Sequence, residues 1–375
     1  MDEILQQIHL NDFIFLWAPS LLTELFISLN LRNNHIPASI FVEEIMIICC
    51  GEALIDMVPY TTKDGIDTYR PLPGGSPYNS AIAMGRLGAP VSFMSRLSSD
   101  FFGTMLVDRL QNNHVNTDLI VRSHQHSTLA FVKLEAGKEP QYAFYTEGTA
   151  DRPFSREDLP RQLPKDLHGI LFGSISMTME PVASTIEQFV FEQSRRTDAA
   201  APVISLDPNV RPVMIQDHSA YVQRLEGWIS SATIVKISGA DMEYVYPSLS
   251  REAALEHVLS LGPTLVVTTL GADGALAIGR RKDGSRFTAT APVVPVQVAD
   301  TIGAGDTFHA ALLSWFELHH TLNRTALANL SEKDLKEALF FANKAASLVC
   351  TKHGAEPPTM AEMEALNGGT GGLSF

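Results

Sequence analysis

Four short apolar runs, at residues 170–172, 203–206, 233–237 and 265–268, recur at intervals that each leave room for a helix. Strands that alternate with helices make a sheet covered on both faces, the α/β class. An earlier run at 45–50, closed by Gly51, reads as a buried strand of the same parallel sheet. Residues 91–94 and two later segments, 275–278 and 287–291, read as further strands. Helices are expected at 80–87, where Gly88-Ala89-Pro90 supplies the stop, and at 181–194, 251–261 and 335–348. One stretch breaks the rhythm. Residues 128–134 and 141–145 are β-rich and separated by a polar turn around Gly137, which predicts a hairpin in a small sheet projecting from the main domain.

The 375 residues, 45% of them hydrophobic, can bury a large core, as one big α/β domain or two smaller ones. The formal net charge of −14 argues against a nucleic-acid binder, which needs a basic patch. An acidic chain that handles anionic nucleotides must compensate locally, with backbone N–H groups, a few Lys or Arg, and a metal cation. Cys49, Cys50 and Cys350 show no zinc spacing, and the adjacent pair reads as buried strand residues. That cysteine usage fits a reducing cytoplasm. Residues 1–45 differ from the rest. Pro19, Glu24 and Asn30 interrupt their apolar stretch, so no membrane span is expected, and Asp2 and Glu3 do not suit a signal peptide. They are expected to be an appendage outside the fold, either from an upstream start codon or as a membrane-surface or partner-binding helix. The main domain is expected over 46–360, with a flexible glycine-rich tail over 361–375.

The segment Asp300-Thr301-Ile302-Gly303-Ala304-Gly305-Asp306-Thr307-Phe308 carries the chemistry. Two acids flank minimal side chains, and a helical pattern follows. Backbone N–H groups at a helix start lack intrahelical acceptors and lie at the positive end of the helix dipole. Gly and Ala let that backbone approach a ligand closely, which makes an anion cradle suited to phosphate. Asp306 stands where a carboxylate could meet a hydroxyl that attacks the phosphate. The same residues would also serve as an ordinary turn and cap. A second segment, Gly74-Gly75-Ser76-Pro77-Tyr78-Asn79, precedes a helix far upstream, and Asp56 lies just beyond the first strand, where open α/β sheets bind ligands. A Walker A sequence is absent, and Gly303-Ala304-Gly305 lacks the third spaced glycine of a dinucleotide fingerprint.

The two segments resemble the paired signatures of the ribokinase/fructokinase (PfkB-type) sugar kinases. The resemblance runs from about Met46 to Pro358. Gly51-Glu52-Ala53-Leu54-Ile55-Asp56, Asp207-Pro208-Asn209-Val210-Arg211, Thr269-Leu270-Gly271-Ala272-Asp273-Gly274 and Lys352-His353-Gly354-Ala355 agree in order. The family implies a ribokinase-like three-layer α/β/α doubly wound sheet with a small β-sheet lid, here from about 58–73 and 122–150. By resemblance Asp306 is the base, and Gly303, Ala304 and Gly305 donate N–H groups to the transferring phosphoryl. Asp56, Gly74, Gly75 and Asn79 contact the sugar. Thr269 and Gly271 match the nucleotide-side loop, and Asn343 lies on a helix that borders the adenine. Ser238-Gly239-Ala240-Asp241 stands at the spacing of the family's Asn-x-x-Glu motif. The residue that organises Mg²⁺ is therefore left open, with Asp241 and Glu243 as candidates or as solvated acids.

ATP and Mg²⁺ are the implied cofactors. Asp300, the Ile302 carbonyl and Gly354 fall where many members hold a monovalent cation, expected to be K⁺. The expected activity is transfer of the ATP phosphoryl group to a sugar hydroxyl. Fructose is the expected sugar, because 70–79 and 145–151 are closest to fructokinases. A nucleoside, ribose or a keto-deoxy sugar acid would use the same core, and a non-catalytic sugar- or nucleotide-binding protein is the reading from another class. A sugar acid would need cations, for which Arg122, Lys133, Lys138 and Arg152 are candidates near the lid. A homodimer joined through the lid is a further expectation.

Overall fold

The structure, a computed structural model, describes residues 47–133 and 141–366. The expected appendage, the turn at Gly137 with Lys138, and the glycine-rich end of the tail lie outside the described residues. Fourteen strands are present among the described residues: β1 (Ile47–Cys50), β2 (Leu54–Thr61), β3 (Asp67–Gly74), β4 (Val91–Ser98), β5 (Val115–Asn116), β6 (Ile120–Ser123), β7 (Thr128–Lys133), β8 (Gln141–Tyr145), β9 (Gly169–Gly173), β10 (Val203–Asp207), β11 (Ile234–Ser238), β12 (Leu265–Thr269), β13 (Ala275–Arg280) and β14 (Arg286–Ala291).

The main sheet runs β14-β13-β12-β11-β10-β9-β1-β4-β5, with β6 beside β4. Its strands from β4 through β12 pair in parallel, while β13 and β14 fold back antiparallel. The chain leaves β1 toward β4 and later returns to β9 on the opposite side of β1. That reversal is the topological switch point, and ligands of open α/β sheets bind at the carboxyl ends of the strands there.

Side-chain alternation along β1 divides the core into two layers. Ile47 and Cys49 join the cluster with Phe308, Leu312 and Phe316, whereas Ile48 and Cys50 join the cluster with Ile186, Trp228 and Leu255. Helices Ser76–Arg86, Phe101–Gln111, Ala304–Leu318 and Glu332–Val349 form the first layer. Helices Val182–Ser194, His218–Ser231 and Arg251–Ser260 form the second. This is the three-layer arrangement expected. The thiols of Cys49 and Cys50 are buried in the strand, and burial pushes both well above the usual thiol range.

A separate four-stranded sheet, β3-β2-β7-β8, forms the lid. The predicted hairpin is its β7–β8 half, paired antiparallel. Arg122 and Ser123, expected in the lid, belong instead to β6, paired with β4 of the main sheet. Within the span expected as tail, Met360–Ala365 form a short helix capped by Thr359, with Met363 buried.

Two helix starts fix the site, and both lie one turn earlier than the sequence suggests. The helix expected from residue 80 begins at Ser76, with Gly75 as N-cap and Pro77 in its first turn, where a missing N–H does no harm. The helix Ala304–Leu318 begins inside the late motif itself, with Gly303 as its N-cap at φ 76. A residue with a side chain is strained in that left-handed conformation. The two helices are neighbours in one layer, and their first turns meet.

Candidate active site

Asp306 occupies the first turn of the helix Ala304–Leu318 and is only 8% exposed. Its Oδ1 accepts a hydrogen bond from Ser76 Oγ at 2.6 Å, and its Oδ2 accepts one from Asn79 Nδ2 at 2.9 Å. Both donors come from the first turn of the other helix. A third donor, Asn209 Nδ2, reaches Oδ1 at 3.4 Å. Burial raises the Asp306 carboxyl above its ordinary value. The Ser76 and Asn79 hydrogen bonds oppose that rise, nearby Asp207 adds to it, and Lys236 offsets part of it. The amide and hydroxyl donors and the positive end of the helix favour the ionised carboxylate, against the effect of burial.

Gly303, Ala304 and Gly305 precede Asp306 as N-cap and first two residues of the helix. Ala304 N–H is engaged with the Thr301 carbonyl at 3.2 Å, a turn contact. Asp300 clasps the turn: its Oδ1 accepts from Ile302 N–H at 3.0 Å and its Oδ2 from Gly354 N–H at 2.9 Å. The three residues expected around a monovalent cation are thus brought together, and in the structure they form a loop-to-loop hydrogen-bonded clasp.

On the lid side, Asp56 stands on β2 opposite Leu72 of β3 and Ala130 of β7. Gly74 makes room for it: a Cβ there would fall 2.2 Å from Asp56 Oδ2. Gly75, at φ 107, turns the chain into the helix. Burial pushes the Asp56 carboxyl up to about 7, against the pull of Arg211 and with a contribution from Asp306. Asp56 and Asp306 therefore feel one another, and Tyr142 of β8 senses both. The predicted sugar-side and phosphate-side residues converge.

The predicted nucleotide-side residues form a row along the same rim. Ser238 pairs in register with Thr269, Thr269 with Ala275, and Ala275 with Ala291. Asn343 closes the row, its Nδ2 donating to the carbonyls of Ala291 at 2.8 Å and Pro292 at 3.1 Å. Its amide therefore ties helix to sheet. Gly271 is exposed in the turn beyond Thr269, at φ 57. Ser238 caps the helix Gly239–Val245 with Asp241 in a reciprocal box. Asp241 also accepts from Val210 N–H at 3.0 Å, whereas Glu243 is exposed near Arg251.

Sequence reading gave no role to several residues that complete the site. Ser76 lies inside the quoted motif but has no predicted role. Glu52 is buried and accepts from the backbone N–H groups of Ser76 at 3.2 Å and Ser176 at 3.1 Å, joining the turns after β1 and β9 at the switch point. Burial raises it to about 7, opposed by its serine hydrogen bonds. Asn209, at φ 38, is held by an Asx contact to Asp207 Oδ1 at 3.1 Å. For Glu52 and Asn209 the signal available was positional: they follow the carboxyl ends of the central strands β1 and β10.

Against known proteins, residues 44–362 match the model of the pfkB family of carbohydrate kinases. The chain belongs to that family and is a sugar kinase, a phosphotransferase with an alcohol acceptor. It is 39% identical to a fructokinase of Rhizobium leguminosarum bv. trifolii, over 78% of this chain and 86% of that one. It is 34% identical to fructokinase-1 of Zea mays, over 86% of this chain and 96% of that protein. Among solved structures it is similar to the fructokinase of Xylella fastidiosa with bound ATP, at a TM-score of 0.76 and 29% identity, covering 87% of this chain and 98% of the other. No helix among the described residues is long and apolar enough to cross a membrane.

Proposed function

We propose that the chain transfers the terminal phosphoryl group of ATP to a hydroxyl of fructose, with Asp306 as the base. The observation that carries this reading is the Asp306 carboxylate, buried between two helix starts with Asn79 and Ser76 on its oxygens. Phosphoryl transfer has a loose transition state, so the protein contributes positioning and electrostatics. Asp306 holds the sugar hydroxyl in line and takes its proton late, since a carboxylate is too weak a base to ionise an alcohol beforehand. The N–H groups of Gly303 and Gly305 would meet the charge that develops on the phosphoryl oxygens, Ala304 N–H being engaged with the Thr301 carbonyl. Asp56 and Asn79 supply acceptor and donor groups matched to vicinal sugar hydroxyls.

The charge balance supports a neutral sugar. Asp56, Asp207, Asp241 and Asp306 gather here with the cations Arg211 and Lys236, so a sugar acid would meet more acids than bases. Of the cations considered near the lid, two have other partners: Arg122 Nη2 donates to the Ser98 carbonyl at 2.7 Å, and Arg152 pairs with Glu147. Lys133 ends β7.

No group of three or more His, Cys, Asp or Glu suited to a metal exists among the described residues. Mg²⁺, bound with ATP, would supply neutralisation of the phosphate charge. K⁺ at the Asp300 clasp would be held by the carboxylate and backbone carbonyls such as that of Ile302, since the Ile302 and Gly354 N–H groups already donate to Asp300. The lid edges β3 and β8 leave strands open to pair with a second copy. ADP release measured with fructose, ribose, nucleosides and a 2-keto-3-deoxy sugar acid tests the substrate. Fructose should give the highest kcat/KM, and a preference for a sugar acid or a nucleoside would contradict the assignment.

A further inference from the structure

A buried ion pair lies beneath the anion cradle. Lys236 of β11 is 3% exposed, and its Nζ donates to Asp207 Oδ2 of β10 at 2.9 Å. The ammonium also sits against the late helix: a Cβ placed on Gly305 would lie 3.0 Å from Lys236 Nζ. Gly305 therefore leaves room on one side for a phosphoryl group and on the other for a cation. A buried pair between neighbouring strands is a poor device for stability alone, because well-packed apolar residues usually serve as well or better. Its placement under a helix start, where negative charge develops during transfer, gives it a use.

We propose that Lys236 is a positioning residue for phosphoryl transfer, a buried cation that steadies the Asp306 carboxylate and adds to the positive field of the cradle, with Asp207 holding it in place. The inference rests on Asp306 being the base. Burial alone would lower the Lys236 ammonium, but Asp207, Asp241 and Asp306 outweigh burial and keep it charged. The titratable groups around Asp306 are Asp207 and Lys236 from the sheet, Asp56 and Tyr142 from the lid, Arg211 beyond β10, Asp241 in the next helix and His309 one turn on. His309 is buried with Nε2 2.6 Å from Ser205 Oγ, and burial lowers it to about 3, so it stays neutral and does not compete for the role.

The sign of the effect on Asp306 follows. Lys236 lowers the Asp306 carboxyl and Asp207 raises it. In Lys236→Met the acid limb of the kcat–pH profile should move to higher pH, and kcat at neutral pH should fall by at least about tenfold. The KM for fructose, or for the sugar that the substrate panel identifies, should stay within about threefold. Lys236→Met leaves Asp207 buried and unpaired and could fail to fold, so the double variant Asp207→Asn/Lys236→Met, which removes both charges, is measured beside it. The double should keep its fold and sugar affinity, show the same loss in kcat, and move the acid limb less than the single. A folded double variant with kcat within about twofold of the parent overturns the proposal, as does an unmoved acid limb in Lys236→Met. Asp306→Asn, run in parallel, separates the two levels: turnover retained there defeats the assignment of the base, while turnover lost there but kept in the Lys236 variants defeats this inference alone.

Discussion

Ser76 Oγ and Asp306 Oδ1, which belong to the first turns of two different helices, lie 2.6 Å apart. That hydrogen bond joins the two sequence motifs into one site and helps keep the buried carboxylate ionised. Ser76→Ala should raise the Asp306 carboxyl further, so the acid limb of kcat should shift to higher pH, with a loss at neutral pH below about tenfold. A kcat–pH profile checks this, and a limb shifted to lower pH would show that Ser76 does not stabilise the ionised form.

Asp56 gives the sugar side its own pH dependence. Its carboxyl titrates at about 7, raised chiefly by burial, and the ionised form is the stronger hydrogen-bond acceptor. The KM for the sugar should therefore rise as pH falls through about 7. Asp56→Asn should raise KM at high pH and flatten this dependence. If the step persists unchanged in Asp56→Asn, another group is responsible.

Gly74→Ala tests the lid geometry without a strained backbone. The new Cβ would fall 2.2 Å from Asp56 Oδ2, so the carboxylate must move. KM should rise by about tenfold or more while the thermal midpoint changes little, because the disturbance is confined to one side chain at the cleft. An unchanged KM would place Asp56 outside the sugar site.

Asp300→Asn should weaken the clasp between the Ile302 and Gly354 loops and remove the charge that suits a cation. In the parent, replacing K⁺ by tetramethylammonium should lower kcat. In Asp300→Asn the residual rate should no longer respond to K⁺. A parent enzyme indifferent to K⁺ would limit Asp300 to a structural part.

Much of the fold was legible because most central strands are apolar runs that sit in the sheet within a residue or two of their expected bounds; β4 runs on to Ser98, four residues past the expected end. The helices Phe101–Gln111 and His218–Ser231 were not singled out, although Asp100 and Asp217 cap them by accepting from Gly103 and Ala220. Only Gly103, Leu106 and Leu110 of the first and Leu225, Trp228 and Ile229 of the second are buried, so each presents a short apolar stripe. The lid strand β3 was hidden by Pro71 and Pro73, which break the usual strand composition yet are tolerated on a sheet edge. Asp306, Asn79 and Asp56 were legible as motif residues. Lys236, Asp207 and Ser76 were not assigned roles, because their importance lies in contacts between strands and helices far apart in sequence. Glu52 was hidden in the same way, since its partners are backbone N–H groups that carry no sequence signature.

The most direct test of the site is Asp306→Asn, measured for turnover and for sugar binding on the same preparation. The amide keeps the shape of the carboxylate but cannot take the proton. The account predicts kcat reduced by about 10²- to 10⁴-fold with sugar affinity largely retained and the fold intact. Turnover within about tenfold of the parent would contradict it.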